Sequence, residues 1–459
     1  MKKTALILTL LITLVILLFP LIGNSFMQKL IDENIQTLQS NGLIIKKKSE
    51  QSGYLNTKQH FEFVLKNTDA FENYVNSFTR TKLPASLHAL LQDATIGADI
   101  AYSNIPFSKA VTIEIYPMSL SNTLMQEIKA NNPKMYKQFV SFLQSQGILY
   151  HIEYNLLSED FSGFIKDIDE KYDLKKSASL LLQLQGSDFV GNGNLLAPKQ
   201  FRFNLHLLNI TLNDDTNRVI IKIDDFHNKT DFDSFSKYIN NMNLFHLQIV
   251  MQNSQDDINI AVDNLDTTSS SSVQNNKVNL RSKSFIQNIV FDSKKLNFRL
   301  KALNSDIFVN GLDKQSYEKF SQLLAEAKTM NRALLQEQMQ NTLLSLLSHG
   351  LHVKVADFSL QNITVKKIEE LGGMKIQSDV TLKEDKDLVS KGQISPLLLL
   401  SDIELDMKIK LANTLYLKLI EDSPMAPTIV SYAKKDADAV YFNILFKDTK
   451  LMINDKIVR

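Results

Sequence analysis

The first strong pattern along the chain is an uncharged apolar run at residues 4–23, which follows Lys2 and Lys3. A helix of this length rises about 30 Å, which matches the apolar thickness of a bilayer. The run therefore predicts one membrane-spanning helix, and both lysines precede it, which places the N-terminus in the cytoplasm and the remaining chain outside. The leucines that define this predicted anchor are Leu6, Leu10, Leu14 and Leu17.

The same run has a second interpretation as a cleaved signal peptide. Gly23, Asn24 and Ser25 form a small-x-small site just after the helix-breaking Pro20. The run is longer than an ordinary signal core, and a helical pattern continues directly from it, which favours a permanent anchor. Signal cleavage, giving a secreted protein, stays as the alternative, and both interpretations export the body.

The next pattern has helical spacing. Met27, Ile31, Ile35 and Leu38 recur at intervals of four, four and three residues and form one apolar stripe. Asn24 or Ser25 is the expected cap of this helix, and Asn41 with Gly42 is the expected stop. The pattern predicts an amphipathic helix beside the membrane.

Alternation of apolar and polar residues then dominates. A short strand is expected at residues 43–48 and a turn at 51–53. From residue 55 the two faces of a half-buried strand separate, with Leu55, Thr57, Phe61, Phe63 and Leu65 on one face and Asn56, Lys58, His60, Glu62 and Lys66 on the other. Further strands are expected at 95–102, 111–116 and 148–156, and helices within 69–92 and 133–146.

Residues 177–303 are dominated by segments of period two, which are typical of an antiparallel sheet. The apolar parity is odd at residues 201–207 and even at 208–212, which predicts a bulge or an inversion of faces near Asn209. The serine-rich stretch 269–272 is expected at a solvated hairpin tip.

Asp313 is expected to cap a helix, and a second helix begins near Asn331 with a stripe of Leu335, Met339, Leu343 and Leu347. Strands return at 351–363, 373–382, 404–411, 440–446 and 451–453.

These elements together predict an α+β fold. We expect an extended, twisted, mostly antiparallel β-sheet with a few covering helices, preceded by one N-terminal transmembrane helix. The predicted regions are the anchor at 1–23, an N-terminal α+β region at 24–176, a β-rich middle at 177–309, and a C-terminal region with a helix pair and strands at 310–459. No internal repeat of 20–50 residues supports a solenoid.

The composition excludes several kinds of function but assigns none. The 51 Lys and Arg residues nearly balance the 50 Asp and Glu residues, which argues against a nucleic-acid surface built on bulk positive charge. The chain has no cysteine, so disulfides, thiolate metal sites and cysteine catalysis are excluded. We therefore expect no nucleic-acid partner.

No motif in the body has the residues that a catalytic or cofactor site requires. Residues 186–191 have the glycine spacing of a phosphate loop, but Asn192 and Gly193 stand where Lys and Ser or Thr are needed. His349 and His352 are separated by a helix-ending Gly350, and the acidic group Asp167, Asp169 and Glu170 lacks the glycine and distant Glu of a calcium loop. The chain is therefore predicted to be non-enzymatic, without a cofactor, a metal or catalytic residues. An enzyme stays as a third alternative, because a catalytic site can be assembled from residues that are distant in the sequence.

Two surface features have alternative interpretations. Lys46, Lys47 and Lys48 suit contact with anionic headgroups or a charged partner, or they protect an edge strand from aggregation. Apolar residues on alternate strand positions form a candidate hydrophobic groove, although such side chains more often form core beneath helices. The candidate groove residues are Phe201, Phe203, Phe245 and Ile249.

The order of these features resembles the YdgA-like family of bacterial proteins. The similarity covers nearly the whole chain, and its best pieces are GYLNTKQHFEFVL at 53–65, IPFS at 105–108, NGLDKQSYEKFSQLL at 310–324 and the strand, two-helix, strand ending at 404–454. Many relatives carry His-Gly where this chain has Asn104 and Ile105, so a role for that histidine is not transferred. The resemblance implies a single-pass inner-membrane protein of a Gram-negative bacterium with a periplasmic body, and it implies no substrate.

The expected function is therefore that of a membrane-anchored periplasmic protein that binds or scaffolds another protein of the cell envelope. A carrier of lipid or another hydrophobic ligand, held in an apolar groove of the sheet, is the alternative. The expected partners are the inner membrane and either an envelope protein or a lipid.

Overall fold

The computed structural model describes residues 24–79, 85–105, 111–175, 178–194, 197–234, 236–253, 257–326, 332–365, 369–385, 387–388, 391, 400–421 and 430–458. The predicted membrane run, with Leu6, Leu10, Leu14 and Leu17, lies outside these ranges. Within them, no helix is both long and apolar enough to cross a bilayer. The membrane anchor and the alternative of signal cleavage therefore both stay predictions.

The chain forms two compact units, residues 1–205 and 206–459. Every strand pairing described in either unit is antiparallel, including the pairings of the longest strands. Helices accompany the strands in both units, so the predicted α+β class with a mostly antiparallel sheet is confirmed. The predicted division of the body into three regions stays a prediction.

The first described helix of unit 1, α1, covers residues 24–40. Met27, Ile31 and Ile35 are buried in one core and Leu38 packs against it, so the predicted helical stripe is confirmed. Gly42 follows the helix with a φ of +96°, a conformation that favours glycine, so the predicted stop is also confirmed.

Asn24 joins the start of α1 to the sheet. Its side-chain oxygen accepts a hydrogen bond from Tyr102 Oη at 2.9 Å and lies 3.2 Å from Thr57 Oγ1, while its amide nitrogen donates to Ser52 Oγ at 3.3 Å. Residues 24 and 25 are already helical, so the expectation that Asn24 or Ser25 caps the helix was wrong. The Asn24 amide satisfies side chains of the sheet instead.

Strands β1 (Leu43–Ser52) and β2 (Asn56–Leu65) form the first hairpin. β1 runs four residues beyond its predicted end, and the turn lies at 53–55 instead of 51–53. Most of the predicted inner face of β2 is buried, but Leu55 is 49% exposed because it lies in the turn. Glu62 was expected on the wet face, yet it is buried beside the ammonium groups of Lys46 and Lys47 at 3.9 and 3.3 Å.

The other elements of unit 1 follow the predicted order with three additions. The helix α4 (Asn122–Asn131) and the strands β6 (Asp160–Ile165) and β7 (Ile168–Lys175) had no predicted counterpart, and Asp169 and Glu170 of the acidic group lie within β7. The elements are α2 (Thr68–Thr79), α3 (Ala85–Leu91), β3 (Thr95–Ser103), β4 (Val111–Ser119), α4 (Asn122–Asn131), α5 (Pro133–Gln144), β5 (Tyr150–Tyr154), β6 (Asp160–Ile165), β7 (Ile168–Lys175) and β8 (Ala178–Asn194). Strand β9 (Ala197–Asn213) contains the boundary between the units.

Unit 2 contains five strands of 16 to 18 residues that follow one another along the chain. They are much longer than the predicted segments because most of their residues are half-buried and carry little alternation in polarity. The strands are β10 (Arg218–Ser234), β11 (Lys237–Gln252), β12 (Asp257–Gln274), β13 (Lys277–Ser293) and β14 (Asn297–Asp313).

A row of residues without ladder pairing crosses these five strands near their midpoints, and we call it the crease. Pairing resumes on both sides in unchanged register, as shown by Asp224 opposite His246 and Phe226 opposite Leu244. Every second residue of the row has a left-handed φ, between +46° and +52°. The crease consists of Asp225, Phe245, Asn264, Gln287 and Ala302.

The apolar pattern changes parity at the crease. Apolar residues flank it three positions apart, as in Ile223 and Phe226, instead of two or four apart. The same spacing occurs in β12 (Val262 and Leu265), in β14 (Leu300 and Leu303) and in β9 (Leu205 and Leu208). The parity change that the sequence shows in β9 thus recurs in neighbouring strands, while the bulge expected near Asn209 itself stays a prediction.

The serine-rich stretch 269–272 is not a hairpin tip. It lies inside β12 and pairs with both β11 and β13. Ser271 is buried, and its hydroxyl donates a hydrogen bond to the Ser236 carbonyl at 2.6 Å. The turn is formed by Asn275 and Asn276, both of which have positive φ. The expectation was wrong because a polar run in a long strand resembles a loop when it is considered alone.

The remaining elements of unit 2 include the predicted helix pair. The Ser316 amide donates to Asp313 Oδ2 at 2.9 Å, which confirms the predicted cap. The predicted stripe of the second helix is partly wrong, since Leu343 is 41% exposed and Leu344 and Leu346 are buried. The elements are α6 (Lys314–Glu326), α7 (Arg332–Ser348), β15 (Leu351–Leu360), β16 (Asn362–Val365), β17 (Glu369–Glu370), β18 (Met374–Leu382), β19 (Ile403–Ala412), α8 (Asn413–Glu421), β20 (Lys434–Lys435), β21 (Ala439–Lys447), β22 (Lys450–Ile453) and β23 (Lys456–Ile457).

Candidate functional site

The four residues of the candidate hydrophobic groove lie in both units. Phe201 packs in unit 1 against Phe161 and Phe189, with ring centroids 6.4 and 6.3 Å away. Phe203 lies two residues further along β9. In unit 2, Phe245 is 56% exposed at the crease, and Ile249 pairs with isoleucines of both neighbouring strands. The four residues thus have three different surroundings: an aromatic cluster, an exposed crease and a strand ladder.

Polar side chains occupy the row of unit 2 immediately beside the crease. His246 Nδ1 lies 2.7 Å from Asp263 Oδ1, and Asn288 Nδ2 donates to Asp263 Oδ2 at 3.5 Å. Because the strands are in register, the row continues through directly paired residues from Asp224 to Lys301. Residues paired across antiparallel strands project to the same side of a sheet, so the row presents acidic, basic and amide groups together.

One end of this row forms the floor of a cavity of about 970 Å³. None of the four groove residues lines it. In the described part of the chain its lining is mostly polar, with only two aliphatic side chains larger than alanine. The lining residues are Asn259, Ala261, Asp263, Asn288, Val290, Asp292, Arg299, Leu300, Lys301, Gln361, Asn362, Thr364, Glu370, Gly372 and Thr414. Such a lining suits a polar ligand better than a lipid chain, because buried polar groups need hydrogen-bond partners.

The wall of the cavity is held by bonds between separate elements. Asn362 Oδ1 accepts the amide of Gly372 at 2.9 Å, and Thr414 Oγ1 donates to the Leu371 carbonyl at 2.5 Å. Leu371 is buried in the core that also contains Leu411 and Tyr416. The cavity is therefore built on strands and a packed core, which fixes the positions of its polar groups.

Two cations in the cavity are available to a ligand. Arg299 and Lys301 lie two residues apart on β14, so their side chains share one side of the strand. Among the described residues, neither cation lies within 4.0 Å of a carboxylate. Asp263, Asp292 and Glu370 line the same cavity, so it offers both charges to a ligand.

The His246–Asp263 pair does not by itself make a catalytic site. A histidine held by a carboxylate is part of the nucleophilic triad, which also requires a hydroxyl or thiol on the histidine. Within the described ranges, no serine, threonine or tyrosine hydroxyl is hydrogen-bonded to His246. The geometry therefore adds nothing in favour of an enzyme, and the prediction of a non-enzymatic chain stays a prediction.

The other sequence candidates lie in ordinary structural surroundings. Residues 186–191 lie inside β8 instead of a loop before a helix. His349 is exposed after α7, and its Nδ1 lies 2.8 Å from the Ser345 carbonyl, while His352 is bonded to Asp379 in the strand ladder at 2.7 Å. Lys48 contacts Asp32 at 3.2 Å, so all three lysines of the basic triplet have acidic partners within the chain.

A second concave surface of about 580 Å³ lies on the other side of the crease along β12 to β14. Arg281 donates two hydrogen bonds to the Asp306 carboxylate beside it, at 3.0 and 2.9 Å. These bonds hold the pKa of Asp306 below its ordinary value, against the opposing effect of partial burial. Asp306 is thus more stable as a carboxylate in the folded chain than in the unfolded chain.

This pKa difference predicts a pH dependence of stability. A carboxyl whose pKa is lower in the folded state adds stability above its unfolded pKa and loses it as pH falls through the folded pKa. At pH 7 we expect Asp306→Asn to lower the unfolding free energy by about 1 kcal/mol or less, because the pair is partly exposed. The difference from wild type should shrink as pH falls from about 5 to 3. Urea denaturation at several pH values measures this difference in unfolding free energy, and Asp215→Asn in the exposed β9–β10 turn is the control. A difference between wild type and Asp306→Asn that grows at low pH would contradict the prediction.

Comparisons with known proteins found no relative. No family model matches the chain, and no curated protein sequence or solved structure matches it significantly. The resemblance to YdgA-like proteins therefore stays a prediction.

None of the cavity residues belongs to a motif that is visible in the sequence. The lining extends from Asn259 to Thr414 and is brought together by strand register and by the packing of α8, neither of which is visible in local periodicity. The sequence does carry one sign of this site. In successive strands two apolar residues are three positions apart, and the polar row beside the crease lies between the two residues of each such pair.

Proposed function

We propose that this chain is a membrane-anchored, non-enzymatic binding protein whose exported body docks a polar segment of another envelope protein in the cavity of unit 2. The observation that carries the proposal is the pair of cations Arg299 and Lys301, which no carboxylate of the described residues pairs within 4.0 Å, in a cavity lined by amides and carboxylates. A peptide segment with a carboxylate side chain complements these cations, and its backbone suits the amides of the lining.

The polar lining favours a protein segment over a lipid for this cavity. A lipid chain would cover the amide and carboxylate groups of the lining without giving them hydrogen-bond partners, which costs free energy for each group. The alternative of a lipid carrier would therefore need a different surface of the chain.

Photo-crosslinking in living cells tests this proposal. A benzoylphenylalanine at Val290, on the cavity floor, should give a discrete adduct with one protein, and the same probe at Phe232, which is 42% exposed outside the cavity, should not. Adding Lys301→Glu should reduce the Val290 adduct at least tenfold, because it replaces attraction by repulsion. The adducted chain should stay in the membrane fraction after alkaline extraction.

Other results of the crosslinking would contradict docking of a protein segment in the cavity. A mass increase of lipid size at Val290 would support the carrier instead. An adduct that is equally strong at both probe positions, or one unaffected by Lys301→Glu, would refute docking in the cavity. Circular dichroism of the purified variants checks that the fold is retained.

A further inference from the structure

Three side chains with metal-binding atoms meet at the edge of unit 1, outside the proposed docking cavity. Asp69 and Glu72 are three residues apart on α2, which places them on the same side of that helix. His88 reaches them from α3. One oxygen of each carboxylate and one nitrogen of the histidine all lie within 4.8 Å of one another.

Glu72 is the most buried member of this group. Its residue is only 9% exposed. Within the described residues, no hydrogen bond or ion pair joins its carboxylate to another group. Burial of an unpaired carboxylate costs several kcal/mol, so native structures normally pair it or bind a cation beside it.

The other two side chains are already arranged as neighbouring ligands. His88 Nε2 lies 3.1 Å from Asp69 Oδ1. Two ligands about 2.0–2.1 Å from a tetrahedral zinc ion are about 3.3 Å apart, so this pair needs little movement to bind one. The Asp69 side chain is 86% exposed, which provides a route for an ion from solvent.

We propose that Asp69, Glu72 and His88 bind a divalent transition-metal ion. One imidazole and two carboxylates are a donor set that suits zinc and similar ions and leaves one position for water. Phe71 on α2 and Leu91 on α3 both pack against the core of unit 1, so the ion joins two helices that cover this core. The role is structural and is independent of the docking cavity.

Zinc titration of the full-length chain tests this site. The chain is purified in detergent without a histidine tag, stripped with a chelator and titrated with zinc against a chromophoric chelator. We expect one tightly bound zinc ion per chain. Glu72→Gln and His88→Ala should each weaken this binding at least tenfold. His206→Ala should leave it unchanged, since His206 forms an exposed pair with Asp225 at 2.6 Å in unit 2.

Thermal unfolding provides a readout that does not depend on the competing chelator. Without metal, Glu72→Gln should unfold at a higher temperature than wild type, because it removes a charge from a largely buried side chain that no described residue pairs. Zinc should raise the unfolding temperature of wild type and His206→Ala but not that of Glu72→Gln. Absence of stoichiometric zinc binding by wild type, or an equal loss in His206→Ala, would overturn the proposal.

Discussion

Replacement of Phe61 by Ala is expected to lower the unfolding free energy by about 3–5 kcal/mol, the usual cost of removing a buried aromatic side chain. Phe61 on β2 has no exposed surface and belongs to the core that receives α1. Its ring stacks on Phe63 with centroids 5.7 Å apart, and the Lys48 ammonium lies 5.4 Å from its centroid. Alanine would lose the contacts of the ring with both strands of the hairpin, through Phe63 on β2 and Lys48 on β1.

Hydrogen exchange measured by mass spectrometry checks this result in unit 1 alone, which matters because two units need not unfold together. Peptides covering residues 56–65 should exchange much faster in Phe61→Ala. Phe245→Ala is the matched control, since Phe245 is more than half exposed at the crease and its loss should change stability by no more than about 0.5 kcal/mol. Equal effects of the two substitutions would contradict the burial assigned to Phe61.

The sequence predicted this core well because its periodicity is strong. The stripe of Met27, Ile31 and Ile35 has helical spacing, and the alternation in β2 has a period of two, so each element shows one apolar face. The prediction failed in this region at Glu62, where alternation along β2 predicted an exposed side chain but a tertiary contact buries it. Glu62 is buried because Lys46 and Lys47 from the neighbouring strand lie beside its carboxylate.

The long strands of unit 2 were harder to predict for the opposite reason. Their side chains are mostly half-buried, so polarity does not separate the faces, and serines are tolerated in the ladder. The run 269–272 has the composition of a turn, yet Ser271 is held between two strands and bonded to Ser236. Composition alone cannot distinguish a polar strand with two partners from a loop.

The crease shows how a local anomaly becomes informative once strands are aligned. A single change of parity, such as that in β9, predicts at most a bulge in one strand. In register, the same three-residue spacing forms a row whose alternate members have left-handed φ values. The cavity of unit 2 lies beside this row, so its position depends on register, which one sequence does not reveal.

Gly42→Ala is expected to destabilise unit 1 by about 3 kcal/mol or more, because two independent costs add. Gly42 has a φ of +96°, which costs a residue with a side chain about 1–2 kcal/mol. An added Cβ would also lie 2.2 Å from the Asn67 carbonyl oxygen, and this contact with backbone cannot be relieved by a side-chain rotation. The Gly42 carbonyl itself accepts the amides of Lys66 and Asn67 at 2.9 and 3.1 Å, so a shift of this turn would disturb the end of β2 as well.

Gly311→Ala separates these two costs. Gly311 has a similar φ of +89°, but an added Cβ there would meet nothing closer than 3.6 Å, so only the conformational cost of about 1–2 kcal/mol applies. Hydrogen exchange of α1 and β2 should increase strongly in Gly42→Ala, whereas Gly311→Ala should show a smaller increase confined to unit 2. Equal destabilisation of the two variants would mean that the close approach of the added Cβ to the Asn67 carbonyl costs no free energy. A larger loss for Gly42→Ala would show that α1 is held against the sheet through this turn.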